Sequence, residues 1–212
     1  MSHPIVAREL FGILRTRKAL ALVVTMAVAF TALVLLRWPT DARIALSGTQ
    51  AREVFRLFGY GLLTALILFV PIFPAATIVR EKNQGTLALL LNSPLSPLSI
   101  YFGKLVGTLG FTLLLVSMTL PAAAACYALG GLSVWSDLGA LYGLLLLVAV
   151  QYATLGLFVS SRASSADAAQ RITFGVVIVM AVVSMGPHLF LQGHAGWLAH
   201  GAEWLRCISP IP

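Results

Sequence analysis

A-L-A-L-V-V-T-M-A-V-A-F-T-A-L-V-L-L, residues 19–36, decides the fold. The run holds no charged side chain, with Arg15, Arg17 and Lys18 just before it and Arg37 and Trp38 just after. An apolar helix of about 20 residues matches a hydrocarbon core roughly 30 Å thick. A run of that length between cations predicts a transmembrane helix. Composition says the same of the whole chain: 59% of its 212 residues are hydrophobic and 10% charged, with a mean hydropathy of +0.94. Soluble domains carry about 25% charged residues. A water-exposed surface could not be covered with so few; a lipid-exposed one need not be.

Four further runs follow, near residues 58–79, 102–129, 138–159 and 172–191. The expectation is an all-α, polytopic membrane bundle of about five spans, with residues 19–212 as the transmembrane domain. Residues 1–18 read differently. Ile5, Val6, Leu10, Ile13 and Leu14 recur at helical spacing with Arg8, Arg15 and Lys18 between them. That pattern predicts a short amphipathic helix in the membrane interface. No small-residue cleavage site follows a short apolar core, so the segment does not read as a signal peptide.

The net charge is +7. Its cations flank apolar runs instead of forming a stripe interleaved with aromatics, which argues against nucleic acid. With the N-terminus inside, the inner segments carry Arg8, Arg15, Arg17, Lys18, Arg80, Lys82, Lys104, Arg162 and Arg171. The outer ones carry Arg37, Arg43, Arg52, Arg56 and Arg206. The excess places the N-terminus in the cytoplasm of a cell (inner, cytoplasmic) membrane. Cys126 and Cys207 form no CxxC pair, and Cys126 lies in an apolar run, so a free packed thiol is expected there instead of a disulfide or metal site.

Between the second and third runs stands R-E-K-N-Q-G-T-L-A-L-L-L-N-S-P-L-S-P, residues 80–97. Arg80, Glu81 and Lys82 end the second span, Gly85 permits a bend, Thr86–Leu91 is a short apolar helix candidate, and Pro94 and Pro97 stop it. The pattern predicts a helical elbow at the cytoplasmic surface, able to pass a push from a soluble partner into two adjacent spans.

This segment resembles the type-2 ABC transporter permeases. Their pattern of Glu, Gly-Thr, an apolar stretch, a Pro-rich turn and Gly-Lys stands here as Glu81, Gly85-Thr86, Leu87–Leu91, Pro94, Pro97 and Gly103-Lys104. Residues 6–18, V-A-R-E-L-F-G-I-L-R-T-R-K, resemble that family's N-terminal interfacial helix. The resemblance implies an exporter permease acting as a dimer with a second copy or homologue, and a separate ABC ATPase subunit. ATP would be bound by that partner, and indeed no GxxxxGK[ST] phosphate loop occurs in this chain. ATPase coupling would fall on Arg8, Glu9, Arg80, Glu81, Gly85 and Thr86. The family's sixth span would lie beyond Pro212.

Pro71 and Pro74 interrupt the second run, and Pro121 the third; each marks a hinge or a fixed bend. The spacings Gly103/Gly107 and Gly139/Gly143 predict close helix packing within the bundle. Gln151 predicts an interhelical hydrogen bond. Around the end of the fifth run, His188, His194, His200 and Glu203 are candidate metal or haem ligands, though the spacing matches no metal motif and none is assigned. Two other classes stay open: a membrane enzyme or metal- or haem-handling subunit using the His188–Glu203 segment, and an assembly scaffold without transport.

Overall fold

The computed structural model describes residues 10–37, 49–86, 92 and 96–191. After a helical turn at residues 10–14 come α1 (Arg17–Leu36), α2 (Thr49–Phe69), α3 (Ile72–Asn83), α4 (Pro97–Ser117) and α5 (Leu120–Ala128). A π-helical turn, Val134–Gly139, then leads into α6 (Ala140–Arg162), and α7 (Ala166–Leu191) follows. The described residues contain no strand. Five helical stretches are long and apolar enough to cross a membrane: Ala19–Leu36, Ala51–Asn83, Pro97–Ala128, Val134–Arg162 and Ala166–Val183.

Polar side chains start several of these helices by accepting the backbone N–H groups that a first turn leaves unpaired. Thr16 Oγ1 accepts from the Ala19 amide at 3.3 Å, Ser96 Oγ from Ser99 at 3.2 Å, and Ser165 Oγ from Ala168 at 3.2 Å. The second stretch begins at Thr49, ahead of the apolar run, so Arg52, Glu53 and Arg56 lie on its first turns.

The second and third stretches are each two helices. The α2 helix ends at Phe69 and α3 restarts at Ile72, with Pro71 as its N-cap and Pro74 in its first turn. First-turn N–H groups have no helical acceptor, so proline costs little at those positions. The third stretch breaks at Met118–Thr119, and Pro121 likewise falls in the first turn of α5. Thr119 Oγ1 donates to the Val116 carbonyl at 2.7 Å and lies 3.2 Å from the Tyr142 hydroxyl of α6. That bond offsets part of what the interrupted ladder loses.

The hub is α6, which packs on α2, α3, α4 and α7. Its inward face includes Leu145, Val148, Tyr152, Gly156 and Ser160, all buried. Phe30 of α1 meets Phe58 of α2 edge-on at 5.5 Å, and Phe73 of α3 meets Phe111 of α4 at 4.7 Å. Outward faces are apolar too: Leu20, Val24 and Val28 on α1, and Ile178, Val179 and Val182 on α7, are exposed. Hydrocarbon or a second membrane subunit is the natural contact for such faces.

Two packing expectations need correction. Gly103 and Gly107 are buried in the bundle, but Gly139 in the π-helical turn and Gly143 of α6 are exposed, on the side turned away from the neighbouring helices. Gln151 is half-buried and makes no side-chain hydrogen bond to another described residue. It lies four residues from Leu147 and seven from Phe158, both exposed, so helical spacing puts it toward the outward side.

Contact between α3 and α6 is the most extensive in the fold and includes an unusual backbone contact. Ser160 Oγ, buried on α6, accepts from the Ile78 and Val79 amides of α3 at 3.1 and 3.3 Å. Ser160→Ala removes that acceptor from two backbone donors. We expect a loss of about 1–3 kcal/mol, read as a lower midpoint in thermal unfolding of the detergent-purified chain.

Candidate functional site

The feature that concentrates polar chemistry is the elbow end of α3 and α4. No charged residue occurs from residue 57 to 79 or from 105 to 136. Arg80, Glu81 and Lys104 therefore mark where both stretches leave hydrocarbon. At about 1.5 Å per residue, the 33 residues of Ala51–Asn83 span roughly 50 Å. That exceeds the hydrocarbon thickness of roughly 30 Å, so the helix ends project into the polar interface.

The α3 terminus is closed by its own residues. The Gln84 amide donates to the Arg80 carbonyl at 2.9 Å, and the Gly85 amide to the Lys82 carbonyl at 3.2 Å. Gly85 has a φ of +72°, the left-handed conformation that reverses a chain after a helix and that side-chain-bearing residues resist. Thr86 Oγ1 then donates to the Glu81 carbonyl at 3.2 Å. Arg80 and Lys82 lie in the last turn, where the helix dipole favours cations, and both are exposed. Gly85 and Thr86 thus shape the elbow through the backbone, and Arg80 and Lys82 give it a basic outer face.

Glu81 faces the other way. Its Oε2 lies 2.9 Å from Nζ of Lys104 on α4, with the two side chains 12% and 2% exposed. Lys104 was counted above among the inner-segment cations; in the fold it is instead a buried helix residue closing an ion pair across the base of the elbow. This is the contact in the candidate site that sequence reasoning missed. Two signals were present: a lone lysine entering a long uncharged run, and a glutamate at the end of the run before it.

Behind the elbow, α3 is held by α6 and α7. Ala75 and Val79 pack with Val159, Ala163 and Ala169 in a small cluster. At the far end, Pro71 and Pro74 lie against Gly156: a β-carbon there would stand 2.8 Å from Pro74 Cγ and 3.0 Å from the Pro71 carbonyl oxygen. Glycine is the residue that lets the broken span approach α6.

The structure thus joins Glu81, Gly85 and Thr86 in one cap, with Arg80 beside them, and sets Pro71 and Pro74 at the opposite end of α3. Arg8, Glu9, Leu87–Leu91 and Pro94 lie outside the described residues, as do His194, His200 and Glu203. His188 lies in the last turns of α7, by backbone only. Of the N-terminal segment, Leu10, Ile13 and Leu14 pack against the bundle, Leu10 beside Gly110 of α4, while Phe11 and Arg15 are exposed. Cys126 is buried and free. Among the described residues no group of three or more His, Cys, Asp or Glu is arranged to hold a metal ion.

Gly85→Ala is expected to strain the cap by about 1–2 kcal/mol. Faster amide hydrogen exchange at Gln84 and Gly85, with α6 unchanged, would show that loss.

Residues 13–211 match the family model described as ABC-2 family transporter protein. No curated protein matches the chain.

Proposed function

The chain belongs to the ABC-2 transporter family, and from that premise we propose that it is an export permease moved by a separate ATPase through the Arg80–Thr86 elbow. Family membership makes it a multi-pass transmembrane subunit of an ABC transporter, a transport chain without catalysis of its own. The finer reading is that ATP is bound and hydrolysed on a partner chain. That partner docks on the elbow and the N-terminal segment, on the cytoplasmic side of the inner membrane. Two permease copies, or this chain and a homologue, enclose the path.

The observation that carries this reading is the capped, basic end of α3, projecting beyond the uncharged run and tied to α4. A partner pressing there acts on two spans at once. Helices can transmit such a displacement because packed interfaces shift between discrete arrangements.

The test is purification of the tagged chain with a candidate ABC ATPase subunit, followed by reconstitution. Gly85→Val should leave the spans folded while reducing complex formation or the permease-dependent change in ATP turnover at least several-fold. Unchanged binding and unchanged turnover with Gly85→Val and Arg80→Glu together would sink the elbow's role.

A further inference from the structure

We propose that Glu81 and Lys104 form a clamp that makes α3 and the inner part of α4 one two-armed lever, with Lys104 a positioning residue that acts through Glu81. The functional half of this inference rests on the coupling role just proposed for the elbow.

The ion pair is not explained by local helix stability. Glu81 lies in the last turn of α3, where the helix dipole disfavours an anion. Lys104 is 2% exposed, and a buried ammonium is costly unless paired. An apolar or neutral pair of similar volume commonly holds two helices as well as a buried ion pair does. A salt bridge adds geometry: the 2.9 Å contact sets where the end of α3 lies against α4.

That geometry joins two arms which each have a joint. Along α3, about 15 Å separates Glu81 from the Val70–Pro71 break, and along α4 about 20 Å separates Lys104 from the Met118–Thr119 break, at 1.5 Å per residue. Between joints and clamp, Phe73 and Phe111 touch edge-on at 4.7 Å. The arms are thus held together at two heights, one apolar and one ionic. A force on the elbow would turn both arms about their joints, and without the ionic contact it would bend α3 alone.

Spin labels at the exposed positions Lys82 and Leu98 read the clamp directly, in the permease in nanodiscs with Cys126 and Cys207 replaced by alanine. The native pair should give one narrow distance distribution. Glu81→Gln with Lys104→Met, a neutral pair that should fold, should broaden it at least twofold. The charge exchange Glu81→Lys with Lys104→Glu should narrow it again. An unchanged distribution in the neutral double variant would overturn the clamp.

With the ATPase bound, trapping with ATP and vanadate should move both labels together relative to a label at the exposed Ser161 of α6. In the fraction of the neutral double variant that binds the ATPase, only the Lys82 label should move. Arms that move independently in the native protein would also overturn the lever. Failure of the ATPase to bind the native chain would overturn the coupling reading instead, with the clamp still decided by the first distance.

Discussion

Lys104→Met is expected to destabilise the bundle by about 3–5 kcal/mol, the range for stripping one partner from a buried ion pair. The loss comes less from the missing attraction than from Glu81, which keeps its charge when the Lys104 ammonium is gone. At 12% exposure Glu81 keeps some water, which places the expected value toward the lower end of that range. Glu81→Gln takes the carboxylate away from Lys104, which at 2% exposure is the more deeply buried charge, and should cost at least as much. Combining the two should restore most of the lost stability, since both charges are then gone. Thermal unfolding of the four proteins in one detergent gives the interaction energy from the cycle. Additive single effects would mean that the two side chains do not act as a pair.

Gly156→Leu is the second large effect. The β-carbon alone meets Pro74 Cγ at 2.8 Å and the Pro71 carbonyl at 3.0 Å. Neither is the far end of a flexible side chain: one belongs to a ring and the other to the backbone. Either α3 moves away from α6 or the helix start unwinds. Ser160, one turn further along α6, would then lose its hold on the Ile78 and Val79 amides. We expect a loss at the upper end of the roughly 1–3 kcal/mol that overpacking costs. Gly143→Ala is the control, since nothing lies within 4 Å of a β-carbon there. It should be neutral, or gain up to about 1 kcal/mol from helix propensity. Equal midpoints for the two variants would contradict the close approach described at Gly156.

The contrast between these glycines shows what can be read from sequence in such a protein. The five spans were legible because hydrocarbon imposes a length and excludes charge, and both conditions are visible in one dimension. The breaks at Val70–Pro71 and Met118–Thr119 were half legible. Proline announced an interruption, but only the fold placed Pro71, Pro74 and Pro121 in first turns, where the lost N–H is harmless. Rotation of each helix about its axis was not legible. In α6 every face is apolar, so no polar stripe told Gly156, which faces α3, from Gly143, which faces outward.

The same limit hid the contacts of the candidate site. Glu81 and Lys104 are separated by the whole elbow, and their meeting depends on how two helices lie side by side. Ser160 reads as one of several small residues near the end of α6, yet it holds two backbone amides of another span. Gly85 was the opposite case. A glycine after a cationic last turn is a local stop signal, and its φ of +72° is what that signal requires.

We propose above all that an ATPase engages the elbow end of the permease. Photo-crosslinking from single positions tests it most directly. A benzophenone placed at Gln84, exposed in the elbow, should capture the co-purified ATPase in proteoliposomes, with a yield that changes when ATP is added. The same probe at Trp135, 89% exposed at the opposite end of the bundle, should capture none. Capture at Trp135 with none at Gln84 would contradict both the orientation and the coupling site proposed.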